Sequence, residues 1–145
     1  MRLSAKGEYG VRAMIHLALH YGDGDPVPLS RIAMEENISR QYLEQIFLLL
    51  RRSGLIYSVR GVKGGYVLSS PPGEIFVGDI VRVLEGPITP VDCLAENGAR
   101  AEVPSCGKGE DCMARKVWER LRDQINQLLG SISLQDMMEC KQAVK

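Results

Sequence analysis

Between residues 39 and 54 the chain places apolar side chains at Leu43, Ile46, Phe47 and Leu50, a spacing of i, i+3, i+4 and i+7. Only a helix gathers that series on one side, because each residue turns about 100° around the axis. Ser39 suits the N-cap, and Ile38 before it can pair with Leu43 as a hydrophobic staple. Gly54 suits the left-handed position after the last turn. The spacing therefore predicts a helix running from the Ser39 cap to about Ser53, with its core side settled. The opposite side carries Gln41, Gln45 and Arg52, with Glu44 and Leu48 beside them. A buried stripe backed by amides and charges is built to sit on a core and show polar groups outward.

The flanking segments decide what such a helix is for. Upstream, Leu29 to about Glu36 reads as a short helix with Leu29, Ile32 and Ala33 inward, and Asn37-Ile38-Ser39 as a tight turn. A first helix is expected from about Ala5 to Tyr21. Gly10, Val11, Met14, Leu17, Ala18 and Tyr21 form its stripe, while Glu8, Arg12, Ile15 and Leu19 lie on a second face that something else covers. Its two histidines, His16 and His20, read as structural or exposed rather than as ligands. Downstream, Leu55–Val59 and Tyr66–Leu68 are rich in β-branched and aromatic residues and read as strands. They flank a basic turn, Arg60-Gly-Val-Lys-Gly-Gly65. Three helices followed by a two-stranded ribbon is the order of a winged helix-turn-helix. The expected fold class is mostly α with a small β-wing.

Pro71-Pro72-Gly73 closes this unit, so residues 1–72 are expected to form one domain. Residues 73–112 form a connecting segment, with a short helix over Val77–Leu84 and then an aperiodic stretch that holds Cys93, Cys106 and Cys112. Residues 113–145 hold a long helix, about Ala114 to Ile132, and a final amphipathic segment after Ser133. The long helix has Val117, Trp118, Leu121, Ile125, Leu128 and Leu129 on one stripe. It runs roughly 27–30 Å, longer than a unit of this size can cover. Its expected partner is the same helix of a second subunit, which makes the chain a homodimer. Such a dimer would present two recognition helices to a pseudo-palindromic operator.

Net charge is zero, with 18 Lys+Arg against 18 Asp+Glu, yet the two halves differ. Residues 1–70 carry +3 and residues 71–145 carry −3. Apolar runs are too short to span a bilayer, and no secretion segment opens the chain, so a cytoplasmic location and no membrane partner are expected. Cysteines in that compartment are ligands or free thiols rather than disulfides. Gln can pair with adenine, Arg with guanine, and Glu can accept from cytosine. Arg40, Gln41, Glu44, Gln45 and Arg52 are therefore the expected DNA-facing residues of the helix. In the turn, Arg60 and Lys63 supply charge and Gly61 allows close approach to a phosphate. Cys93, Cys106 and Cys112 are soft donors suited to an iron–sulfur cluster, zinc or copper(I), although gaps of twelve and five residues fit no zinc knuckle. Cys140 stands apart as an ordinary thiol. No nucleophile–base set or phosphate-binding loop appears, so the chain is not expected to be an enzyme.

Met1-Arg-Leu-Ser-Ala-Lys-Gly-Glu-Tyr-Gly, Ile38-Ser-Arg-Gln-Tyr-Leu-Glu-Gln-Ile-Phe47, Val59-Arg-Gly-Val-Lys-Gly-Gly-Tyr66 and Cys112-Met-Ala-Arg-Lys-Val-Trp118 resemble the Rrf2 family of bacterial regulators, most nearly its IscR-like branch. The resemblance implies a homodimeric transcription factor that binds double-stranded DNA and is modulated by an iron–sulfur cluster of the 2Fe–2S type. Cys93, Cys106 and Cys112 match the three cluster cysteines in order. The first gap is longer than the branch's usual one, and Arg115 replaces its histidine three residues after the third cysteine. The resemblance then implies Glu8, from the other subunit, as the fourth ligand. A CymR-like branch implies the alternative: a cluster-free regulator responding through thiols or a partner protein. An accessory metalloprotein that binds no DNA is the remaining alternative.

Overall fold

The computed structural model describes residues 2–94 and 112–143. Its elements are α1 (Ala5–Leu19), α2 (Leu29–Glu36), α3 (Arg40–Arg52), β1 (Ile56–Val59), β2 (Gly65–Leu68), α4 (Val77–Glu85), α5 (Met113–Ser131) and α6 (Leu134–Ala143), with three short 3-10 turns. The stripe on α3 lies where its spacing predicts. Leu43, Ile46, Phe47 and Leu50 are all fully buried, and Ser39 Oγ accepts from the Tyr42 N–H at 3.2 Å as the N-cap. Asn37 makes the turn between α2 and α3 in the left-handed region, at φ 54°, which a short amide side chain tolerates.

α1 ends two residues earlier than its apolar pattern suggests. His20 leaves the helix at φ −106°, and Tyr21 opens a 3-10 turn with its ring exposed, off the stripe. Gly22 lies within that turn and Gly24 follows it at φ 80°, and their freedom ends the helix. The N-terminus of α1 is held from far along the chain. Glu85, at the end of α4, accepts from the N–H groups of Ser4 and Gly7 at 3.0 and 2.9 Å and from the Ser4 hydroxyl. A carboxylate there satisfies orphan donors and complements the positive helix end. α1 and α4 pack so closely that a Cβ on Gly10 would lie 2.0 Å from Leu84 Cδ1.

β1 and β2 pair antiparallel with Ile56 opposite Leu68 and Val59 opposite Gly65. The ribbon is pinned to the chain before α2: Val27 and Tyr66 exchange backbone hydrogen bonds of 3.0 and 2.9 Å. The Tyr66 ring meets Phe47 of α3 edge-on, with centroids 4.8 Å apart. The wing is thus fastened both to the backbone ahead of the helix-turn-helix and to the underside of its second helix.

α5 leaves this core and α6 returns to it. Ile132 and Leu134 bond back to the start of α4 and the strand-like segment before it, with Val77 N–H donating to Ile132 O at 2.8 Å and Leu134 N–H to Ile75 O at 2.9 Å. Leu134 is fully buried in the same cluster as Leu43 and Phe47. Ser133 and Asp136 cap α6 reciprocally, each accepting from the other's N–H at 3.1 and 2.9 Å. No helix among the described residues is long and apolar enough to cross a membrane.

Candidate functional site

The outer side of α3 is free of the core. Arg40, Gln41, Glu44, Gln45 and Arg52 are all exposed, while the four residues of the inner stripe are wholly covered. Burial of Leu43, Ile46, Phe47 and Leu50 thus fixes which side chains point outward. Arg40 and Glu44 stand one turn apart and pair at 3.4 Å, so each must leave the other to meet a base edge. Both are more than half exposed, and such a pair is weak enough to open. Gln41 and Gln45 lie on the same outward face. Arg51 and Arg52 fall in the last turn, where they complement the negative helix end.

In the wing, Arg60, Gly61 and Lys63 are exposed. Gly61 takes φ +116°, a conformation L side chains rarely adopt, and its carbonyl accepts from Gly64 N–H at 3.0 Å. Gly65 is needed for another reason, since a Cβ there would sit 2.4 Å from the Val27 carbonyl. Gly61 therefore shapes the turn, and Gly65 admits the backbone ahead of α2.

Several contacts that set the position of α3 had no local sequence signal. Arg12 of α1 donates to the Glu36 carbonyl at 2.6 Å and pairs with its carboxylate at 3.2 Å, just before the Asn37 turn. Its guanidinium also lies 5.5 Å from the centre of the Tyr9 ring, which meets Tyr42 of α3 edge-on at 5.8 Å. His16 is buried beside Glu36. Only a periodicity that recognised polar residues on the buried side of α1 could have flagged them.

α5 has no buried residue, although its stripe is strongly apolar. Val117 and Leu128 are about 60 % exposed (58 % and 60 %), and Trp118 and Leu121 are more than a third exposed. The stripe divides along its length. Ile125, Leu129 and Ile132 are half-buried toward the end that meets α4, where a Cβ on Gly78 would lie 3.2 Å from the Leu129 backbone. The rest is left exposed by the described residues of its own chain.

The cysteines are only partly placed. Cys93 is exposed in a 3-10 turn and Cys112 is half-buried just before α5; both are free thiols, as is the exposed Cys140. Cys106 lies outside the described residues. Leu94 shares a pocket with Arg122, Asp123, Asn126 and Leu129, which puts the Cys93 turn beside the middle of α5. Cys112 precedes the first turn of that helix, and ten helical residues rise about 15 Å. Accessible, unbonded thiols are the donors an iron–sulfur cluster takes. Glu8 is exposed on α1. Arg115 pairs with Glu119 at 3.0 Å.

Comparison with known proteins assigns this architecture. The family model described as "Iron-dependent Transcriptional regulator" matches residues 3–140. The chain belongs to the Rrf2 family. Among its Rrf2 relatives, the HTH-type transcriptional regulator CymR of Bacillus subtilis is 44 % identical over 137 residues, covering 94 % of this chain and 89 % of that protein. IscR of Xenorhabdus nematophila is 40 % identical over 139 residues, covering 96 % and 80 %. The solved structure of T. potens IscR superposes with a TM-score of 0.79 at 39 % identity, covering 100 % of this chain and 91 % of that one. These likenesses bear out the winged-helix architecture and the membership in this family of transcriptional regulators.

Proposed function

We propose that this Rrf2-family chain acts as a homodimer that binds a pseudo-palindromic operator in double-stranded DNA, with affinity set by an iron–sulfur cluster on Cys93, Cys106 and Cys112. The observation that carries DNA binding is the division of α3. Its inner face is wholly buried, and its outer face offers Gln41, Glu44, Gln45 and Arg52 beside a basic wing tip. In this reading Gln41 and Gln45 read base edges, Arg40 and Arg52 meet bases or phosphates, and Arg60 and Lys63 hold the backbone while Gly61 lets it approach. The uncovered stripe of α5 supports the dimer, because apolar area of this kind calls for a partner surface.

The cluster, when bound, would supply a redox- and oxygen-sensitive group. Within a dimer, the exposed Glu8 of the partner chain is free to supply the fourth ligand, and α1 lies directly against α3 through Tyr9 and Tyr42. Ligation by Glu8 would therefore tie cluster state to the setting of the recognition helix. A second reading keeps DNA binding and replaces the cluster by thiol oxidation or a protein partner. It is favoured by the 44 % identity to CymR.

Anaerobic purification decides between them. The first reading expects visible absorbance, with iron and sulfide, that is lost in Cys93→Ala, Cys106→Ala and Cys112→Ala, weakened in Glu8→Ala and kept in Cys140→Ala. A colourless, iron-free protein that still shifts its own promoter fragment establishes the second.

A further inference from the structure

His16 on α1 and His20 at its C-cap stand one turn apart, and Glu35 reaches them from the end of α2; one donor atom of each lies within 4.8 Å of the other two. The i, i+4 spacing puts both imidazoles on one face, with ring centres 5.0 Å apart. His16 is 5 % exposed, and its Nε2 is buried without a hydrogen-bond partner. That nitrogen faces Glu35 Oε2 at 3.4 Å. A bare imidazole lone pair beside a carboxylate oxygen is repulsive unless a positive centre lies between them.

Nδ1 of each ring already faces a carboxylate. Asp23 Oδ2 lies 2.9 Å from Nδ1 of His20, and Glu36 Oε1 lies 3.4 Å from Nδ1 of His16. A carboxylate at Nδ1 keeps the ring proton there and leaves Nε2 as the donor, which is how metal-binding imidazoles are oriented. Arg31 donates to Glu35 Oε1 at 2.9 Å. Oε2 remains turned to the histidines. Two imidazoles and one carboxylate, each braced by a further side chain, form a three-donor ligand set.

We propose that His16, His20 and Glu35 bind a divalent first-row transition ion of the zinc type, independently of the cysteines. Nitrogen donors favour such an ion over magnesium or calcium, which take oxygen. The ion would fasten α1 to the last turn of α2, immediately before the Asn37 turn into α3.

The test is titration of the full, chelator-treated chain with Co2+, read by visible absorbance and calorimetry, followed by displacement with Zn2+. One equivalent is expected that carries no thiolate-to-cobalt band and is insensitive to magnesium, distinct from any cobalt taken by the cysteines. His20→Gln and Glu35→Gln alter half-exposed or exposed side chains and keep the fold; each is expected to weaken that equivalent at least tenfold. Asp23→Asn, acting only through the His20 ring, is expected to weaken it about tenfold. Ring-nitrogen NMR of the wild-type chain supplies a second readout, with zinc shifting Nε2 of His16 and His20 together. Cobalt affinity unchanged in both His20→Gln and Glu35→Gln, or ring signals unmoved by zinc, overturns the proposal.

Discussion

Gly65→Ala tests whether the wing is built as a fastened device. A Cβ there would lie 2.4 Å from the carbonyl carbon and oxygen of Val27 and 2.7 Å from Pro28 N. Both neighbours are backbone, so no rotamer change relieves the clash, and β2 must move off the segment before α2. That separation breaks the two Val27–Tyr66 hydrogen bonds, of 3.0 and 2.9 Å, worth about 0.5–1.5 kcal/mol each. It also draws Tyr66 away from Phe47, an edge-on pair worth about 0.5–1.5 kcal/mol. The sum is about 1.5–4.5 kcal/mol, a fall in Tm of roughly 5–20 °C for a chain of this size. Circular dichroism melting gives the stability, and anisotropy titration of a promoter duplex gives the affinity, which should fall because the wing and α3 lose their common anchor. Val62→Ala, at a fully exposed wing position, should change neither Tm nor the setting of the wing. If Gly65→Ala melts within about 2 °C of the wild type and binds DNA equally well, the wing is not held by Val27 and the reasoning fails.

Other outcomes follow from the same structure. Val117→Asp or Leu128→Asp puts a charge on the uncovered stripe of α5; with each side chain worth about 1.5–3 kcal/mol and counted twice across a two-fold axis, dimer dissociation should strengthen about 10²–10⁴-fold by sedimentation equilibrium. Ser39→Ala removes the acceptor for Tyr42 N–H and should cost about 1 kcal/mol in urea unfolding. Asp136 is held below its ordinary value of 3.8 first by the Ser133 backbone N–H and then by the Ser133 hydroxyl. The cap therefore adds stability above that value and loses it as pH falls through the lower folded value, and Asp136→Asn should flatten stability against pH in that acid range. Arg60→Ala should reduce the slope of log affinity against log salt by about 0.9 if the guanidinium neutralises one phosphate.

The winged-helix unit is legible in sequence because its signals are local. The Leu43–Leu50 spacing, the Ser39 cap, the Asn37 turn and Gly61 of the wing each act within a few residues, and each agrees with the fold. What escapes a local reading is contact at long range. Glu85 caps α1 from 78 residues away, Arg12 holds the end of α2 across 24, and Leu134 returns to the core from beyond α5. The end of α1 is misjudged because Tyr21 continues the apolar period after His20 has already left the helix. His16 and His20 read as bland residues in sequence, since the partners that orient them, Glu35, Glu36 and Asp23, come from α2 and a turn. The cysteine segment is legible as chemistry, three soft donors in an aperiodic stretch, and not as geometry: nothing in their spacing says which of them meet.

Whether α3 reads bases is decided by competition binding of the promoter duplex against nonspecific DNA, comparing the wild type with Gln41→Ala/Gln45→Ala. The double variant should keep the salt-dependent, nonspecific affinity of the wing and lose about 1–3 kcal/mol of discrimination for each glutamine that pairs with a base. Equal preference for the promoter in both proteins would mean that the outward face of α3 does not read the operator.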